Sequence, residues 1–283
     1  MISVITPTFN CAQFIQRSYF CLQSQTYSDW EWVVVNDGST DETIAIFEEI
    51  CKHDSRVKFF NLEKNQGRGF ARNFAMQKSL GDIIVIWDID DLYTFNRLEK
   101  IQQAINDGYD FFCSYALLVN NSLNLKGARH FSSSAILPKF VHPTLAIKKS
   151  IINEFFLGYD PSMRAGEDLD IMMKLEHNHK GFYCEEYLMI YVEDREVNLS
   201  KAISANTNQL QTLKKLFSKN EIKIGSLVKF NFIINFYFKL SVLYLFYLKP
   251  TLYLKTVRYR YVENIISAKL NYHILKLLKG DFK

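Results

Sequence analysis

The run Ile83-Ile84-Val85-Ile86-Trp87-Asp88-Ile89-Asp90-Asp91 constrains this chain more than any other stretch. Five consecutive apolar residues, mostly β-branched, predict a strand buried on both faces. Three carboxylates then fall within four positions. On a continuing strand Asp88 and Asp90 would share a face, and like charges that close repel. A divalent cation with oxygen ligands, Mg²⁺ or Mn²⁺, removes the conflict. The plainer alternative is an acidic turn that caps the next helix. In an open α/β sheet ligands sit beyond the carboxyl ends of strands, which is where these carboxylates fall. An EF-hand loop is disfavoured, because no Gly or distal Glu follows at its spacing.

The surrounding chain alternates between strand and helix patterns. Ile2–Thr6 predicts a strand, with Asn10 as N-cap of a helix through about Gln25. Trp30–Val35 predicts a second strand. Ser39 followed by Glu42 reads as a capping box for a helix bearing Ile44, Phe47, Ile50 and Cys51. Val57–Phe60 is a third strand, and Asn65-Gln66-Gly67 turns into a helix from Arg68 to Leu80, stopped by Gly81. Further on, Leu98–Asn106 reads as helix, Asp110–Leu118 as strand, Asn120–Phe140 as a loop region with room for short strands, Gly166–Glu176 as helix and Tyr187–Val192 as strand. This order predicts an α/β fold, a mostly parallel mixed sheet with helices on both faces.

After residue 200 the alternation gives way to helical patterns alone, so a catalytic unit over 1–200 and a helical extension over 201–283 are expected. The extension carries 15 Lys+Arg against 3 Asp+Glu, a net of +12, while the first 200 residues carry 19 against 27, a net of −8. Phe230–Leu248 is aromatic and aliphatic but interrupted by Asn231, Asn235, Lys239 and Ser241. A Lys at mid-membrane costs roughly 2.5–3.5 kcal/mol on insertion scales, so an interfacial helix on anionic lipid is the expectation. A helical cap on the catalytic unit or on a second subunit of a homo-oligomer is the alternative. The five cysteines are scattered without a CxxC pair, which points away from disulfides and zinc and toward a reducing, cytoplasmic setting. No signal segment is read at the N-terminus, and no nucleic-acid partner is expected.

Three predicted strands end in polar clusters: Thr6-Pro7-Thr8-Phe9-Asn10, Asn36-Asp37-Gly38-Ser39 and Asp88-Ile89-Asp90-Asp91. In a parallel sheet those ends converge and can make a nucleotide pocket, where a carboxylate such as Asp37 can accept the imide N–H of uracil. Asn36 and Asp37 forming only a turn is the alternative. Arg68 and Arg72 stand four apart on one helical face and suit a diphosphate or a carboxylate. Gly67 and Gly69 are only a fragment of a dinucleotide fingerprint. Glu167-Asp168-Leu169-Asp170 at a helix start can be charge on the helix dipole or can hold a catalytic base.

Taken in order, Val4-Ile5-Thr6-Pro7-Thr8-Phe9-Asn10, Gln25-Thr26-Tyr27, Val35-Asn36-Asp37-Gly38-Ser39-Thr40-Asp41, Asn65-Gln66-Gly67 with Ala71-Arg72-Asn73, Asp88-Ile89-Asp90-Asp91 and Gly166-Glu167-Asp168-Leu169-Asp170 resemble the family 2 glycosyltransferases over residues 2–175 or so. The resemblance implies a GT-A nucleotide-sugar fold and an inverting transfer from a nucleoside diphosphate sugar to a glycan or lipid-linked acceptor. It implies that Asp37 reads the base, that Asp88 and Asp90 form a DxD site for Mn²⁺ or Mg²⁺, and that Asp168 is the catalytic base with Glu167 beside it. Candidate substrate contacts are then Thr6, Pro7, Thr8, Asn10, Asp37, Gly67, Arg68, Arg72, Asn73, Asp88 and Glu167.

The chain departs from the family pattern at several points. Asn36 replaces a usual Asp, and Phe95 a frequent Pro. The Tyr-Arg-x-His expected near the domain end is replaced by Tyr191-Val192-Glu193-Asp194, without its His, so metal affinity or the donor-phosphate contacts are expected to differ there. No Gln-x-x-Arg-Trp occurs, which argues against a processive synthase. A sugar-nucleotide pyrophosphorylase would want a Gly-rich, Lys-containing loop where Pro7-Thr8-Phe9-Asn10 stands. A non-catalytic glycan-binding relative would not need Asp88, Asp90 and Asp168 together.

Overall fold

Alternate residues of the first strands enter opposite cores, the pattern of a sheet covered on both sides. The structure, a computed structural model, describes residues 1–132, 137–154, 158–160, 163, 166–192, 199–219, 221–222 and 224–247. The strands are β1 (Ile2–Thr8), β2 (Trp30–Asp37), β3 (Val57–Leu62), β4 (Ile83–Ile86), β5 (Leu92–Tyr93), β6 (Phe111–Val119), β7 (Leu125–Arg129), β8 (Ala146–Lys148) and β9 (Gly181–Val192). They form one sheet in the order β3-β2-β1-β4-β8-β6-β9-β5, with β7 paired to β6. The long ladders are parallel: β1 with β2 and β4, β2 with β3, and β6 with β9. The short strand β8 runs antiparallel between β4 and β6.

Helices α1 (Ala12–Gln23), α2 (Thr43–His53) and α4 (Arg97–Asn106) cover one face, and α3 (Arg68–Lys78), α5 (Lys149–Glu154) and α6 (Glu167–Asn178) the other. Val4, Ile83 and Val85 join Ile15, Phe47 and Ile101 in the first core. Ile5, Ile84 and Ile86 join Ala71, Ala75 and Ile171 in the second. Each such fully buried aliphatic side chain is worth about 1.5–3 kcal/mol relative to exposure, so the register of β4 is fixed on both sides. This is the doubly covered sheet expected from the apolar run.

Two further helices follow, α7 (Leu199–Ser218) and α8 (Ser226–Tyr247). Leu210, Leu213 and Leu216 of α7 pack on Leu169 and Met173 of α6, and Phe236 and Leu240 of α8 complete this third cluster. The extension therefore begins as a helix packed on the α/β unit. The far side of α8 leaves Leu227, Phe230, Ile234, Phe238 and Leu245 exposed. By length and composition α8 is apolar enough to cross a membrane. The chain past residue 247, and most of the departure read at 193–198, lie outside the described residues.

Three local expectations are corrected. Asn10 does not cap α1; the helix starts after Cys11, and Asn10 sits at φ +48° with its Oδ1 accepting the Thr40 N–H at 2.8 Å. No capping box forms at Ser39, because α2 begins at Thr43. Asp41 instead accepts the N–H groups of Ala12 and Thr43, both at 3.1 Å. Finally, β4 stops at Ile86, so Asp88 and Asp90 lie on a turn and not on a continuing strand.

Candidate active site

Because β1, β2 and β4 run in parallel, their ends meet at one edge. There Pro7, Thr8, Asn10, Asp37, Gly67, Arg68, Arg72, Asp88 and Asp90 line a cavity of about 440 Å³. The loop after β2 is set by Gly38 at φ +79°, where a Cβ would stand 2.9 Å from the Asn65 nitrogen. Only glycine allows that approach. Asp37 accepts the N–H groups of Gln66 and Gly67 at 2.7 and 2.9 Å, so the carboxylate that faces the cavity also fixes the start of α3. Asn36 donates to Asn61 Oδ1 at 2.7 Å and accepts from Ser39.

The acidic turn is anchored from below. Trp87 is buried and donates from Nε1 to Ser18 Oγ at 2.8 Å. The Asp88 N–H donates to the Tyr93 hydroxyl at 2.9 Å. Arg97, fully buried, donates to the carbonyls of Ile86 and Pro143 and faces the rings of Tyr93 and Trp87. Burial pulls its pKa down to about 10. Asp91 is buried and accepts the Val192 N–H at 2.9 Å. Burial, and then the charges of Asp88 and Asp90, push it well above the usual carboxylate range.

Arg72 connects this turn to α6. It is 3% exposed; Nη2 donates to Asp88 Oδ1 at 3.0 Å, and Nη1 lies 3.9 Å from Glu167 Oε1. Burial opposes its charge, but Asp88 and Glu167 outweigh that cost and the guanidinium is held firmly protonated. Arg68, mostly exposed, reaches the same Glu167 oxygen at 3.3 Å. Arg68, Arg72, Asp88 and Tyr191 form a common wall between the first cavity and a second of about 480 Å³ that contains Glu167 and Asp168. The two cavities adjoin across these four side chains and are together called the cleft.

The helical phase of α6 separates its carboxylates. Asp168 faces the cleft and accepts the Leu169 N–H at 2.8 Å. Asp170 is buried on another side, where it pairs with Lys174 at 2.9 Å. Burial raises its pKa, against the effect of Lys174.

Two expected contacts are corrected. Thr6 is fully buried, and its hydroxyl accepts the Trp32 indole N–H at 2.8 Å; strand alternation turns it into the core. Asn73 clamps the backbone of Tyr159, donating to its carbonyl at 2.6 Å and accepting its N–H at 2.8 Å, so it orders a loop and does not line the cleft. Residues unforeseen from sequence are Arg97, Tyr159, His142 and the α7 side chains along the second cavity, while Tyr191, read from sequence as the start of the altered motif, lines both cavities. His142 Nε2 lies 2.8 Å from the Tyr159 hydroxyl. Burial, then Arg72 and Arg68, push it well below the usual imidazole range, so it is neutral. The closeness of Trp87 and Tyr93 to Arg97 was the only sequence hint of that buried cation.

Among the described residues no three His, Cys, Asp or Glu side chains close around one point. The turn nevertheless offers oxygen donors alone. Ions such as Mg²⁺ are commonly held by one or two carboxylates, with phosphates and water completing the shell. Asp88 and Asp90 fit that role.

A largely parallel sheet that ends on an acidic turn, with helices on both faces, is the arrangement of the GT-A fold. The crystal structure of S. aureus TarS 1-349 in complex with UDP-GlcNAc matches with a TM-score of 0.65 at 20% identity, covering 83% of this chain and 71% of that one. The mannosyltransferase PcManGT from Pyrobaculum calidifontis, in complex with GDP-Man and Mn²⁺, matches with a TM-score of 0.62 at 18% identity, covering 84% and 69%. The profile described as Glycosyl transferase family 2 matches residues 3–162, and the chain belongs to that family. An uncharacterized glycosyltransferase of Haemophilus influenzae is 37% identical over 100 residues; the match covers 35% of this chain and only 40% of that protein. The Campylobacter jejuni GalNAc(5)-diNAcBac-PP-undecaprenol beta-1,3-glucosyltransferase is 24% identical over 98% of this chain and 92% of its own length.

Proposed function

We propose that the protein transfers a sugar, with inversion, from a uridine diphosphate sugar to a hydroxyl of a glycan or lipid-linked acceptor in surface polysaccharide synthesis. The observation that carries this is the pair of adjoining cavities, with Asp37 in one, Asp168 in the other and Asp88 lining both. In this reading Asp37 receives the uracil imide, Pro7, Thr8 and Asn10 flank the nucleoside, and Arg68 meets the diphosphate. Asp88 and Asp90 would hold Mn²⁺ or Mg²⁺, which when bound supplies positive charge to the departing nucleotide. Asp168 takes the proton of the acceptor hydroxyl, and Glu167 orients the arginines. The undecaprenol-linked acceptor in the name of the C. jejuni relative supports a lipid-linked substrate here.

A thermal-shift series tests the donor assignment. A ligand at a hundredfold excess over its Kd stabilises by about 2.7 kcal/mol, so UDP with Mn²⁺ should raise the melting temperature of the parent. GDP should not, and Asp37→Ala should lose the UDP response. An equal response to UDP in the variant would remove Asp37 from base recognition.

In this reading the extension attaches the enzyme peripherally to the cytoplasmic membrane face, through the exposed apolar side chains of α8 and the net positive charge of residues 201–283. Full-length protein should bind phosphatidylglycerol vesicles at low salt and leave them at high salt. Phe230 and Phe238 are 61% and 70% exposed, so F230E/F238E should weaken binding about tenfold or more without lowering the melting temperature. Attachment that survives alkaline extraction would mean that α8 spans the bilayer.

A further inference from the structure

We infer that α7 is the acceptor wall of the cleft, and that Ser204, Asn208 and Gln209 bind an uncharged sugar of the acceptor. This deepens the transferase reading above and rests on it. Ser204, Ala205, Asn208 and Gln209 line the cavity that contains Asp168. Their spacing puts them on one helical face.

The other polar residues of this stretch bond back to their own helix. Asn206 donates to the Ala202 carbonyl, Thr207 to Ile203 and Thr212 to Asn208. Among the described residues the side chains of Ser204, Asn208 and Gln209 take no such partner. Across the cleft, Glu167 Oε2 is buried without a hydrogen bond, while Oε1 serves both arginines. A buried acceptor left unpaired costs about 1–3 kcal/mol; Oε2 has no accessible surface, so a ligand hydroxyl satisfies it only when the carboxylate turns toward the cleft.

The wall is held firmly. Gly166, at φ +86°, lies so close under α7 that a Cβ there would stand 2.6 Å from Thr212 Oγ1. Lys215 pairs with Asp160, and Asn178 Nδ2 donates to the Glu221 carbonyl at 2.9 Å. One hydroxyl and two carboxamides both donate and accept, as sugar hydroxyls require. Among the described α7 side chains none that lines the cavity is charged, so the wall itself supplies no fixed positive charge for a carboxylate or phosphate. Ala205 between them leaves room for a ring.

The test is steady-state transfer by the full-length protein to alkyl-diphosphate-linked glucose, N-acetylglucosamine and glucuronic acid. N208A/Q209A should raise the acceptor KM about tenfold or more, with the donor KM unchanged and the melting temperature as in the parent. Ala205→Trp should raise the acceptor KM at least as far, and Thr207→Ala on the same helix should change neither KM. The parent should prefer the two neutral sugars. An unchanged acceptor KM in N208A/Q209A, or an equal rise in donor KM, overturns the inference while leaving the transferase reading standing. Preference for glucuronic acid overturns the assignment to an uncharged sugar. A parent that transfers to none of the three overturns the proposed function and this inference with it.

Discussion

Replacing Asp168 by Asn is expected to slow transfer by about 10²-fold or more, with donor binding nearly intact. A sugar hydroxyl is a weak nucleophile at neutral pH, and a displacement needs its proton removed as the new bond forms. A carboxylate within hydrogen-bond reach contributes about 10²–10⁴-fold to such a step. The amide keeps the size and shape of the side chain and cannot take the proton. Asp168 faces the cleft, whereas Asp170 is 2% exposed and paired with Lys174. Asp170→Asn should therefore cost stability and leave turnover within a few-fold of the parent. Single-turnover rates for the two variants, with UDP affinity measured alongside, make the comparison. A normal rate in Asp168→Asn with a dead Asp170→Asn would move the base to Asp170. Normal rates in both would put it elsewhere.

The comparison of those two aspartates shows how far the sequence could be read. Glu167, Asp168 and Asp170 were visible as a charged helix start, but their separate surroundings depend on helical phase: Glu167 meets Arg72, distant in sequence, while Asp170 turns away from the cleft to pair with Lys174 one turn on. The apolar run of β4 was legible because burial on both faces leaves an unbroken β-branched signal. Thr6 was legible in principle, since strand alternation puts it on the same side as Ile2 and Val4, which are core residues. Its place in a polar cluster hid that. The capping box failed because two competing acceptors won: Asn36 took the Ser39 hydroxyl, and Asp41 took the exposed N–H groups. The contribution of α7 to the cleft had no local signal. It follows from packing in a third hydrophobic cluster, and sequence periodicity says only that α7 has an apolar side.

Removal of divalent metal is expected to abolish transfer, and Mn²⁺ or Mg²⁺ to restore it. The charge balance of the turn is the reason. Of the fixed cations lining the nucleotide half of the cleft, Arg72 is already shared between Asp88 and Glu167, and Arg68 leans on Glu167. A nucleoside diphosphate adds further negative charge to a surface that already carries Asp88, Asp90 and Asp91. Charge stabilisation of a leaving oxygen by a metal is worth several kcal/mol, and each 1.36 kcal/mol is tenfold in rate, so a loss of about 10²-fold or more is the expectation. Asp90 is the better probe of the two proposed ligands: it is exposed, and the Arg17 bond to its backbone carbonyl at 2.7 Å survives a side-chain substitution. Asp88→Asn, by contrast, would remove the charge partner of a buried arginine, and breaking such a pair costs about 3–5 kcal/mol. Asp90→Asn should thus keep the parental melting temperature, lose activity, and need far more Mn²⁺ for what remains. Full activity of Asp90→Asn in the presence of EDTA would show that this acidic turn holds no catalytic metal. The same loss of activity together with a large fall in melting temperature would show instead that Asp90 supports the fold of the turn.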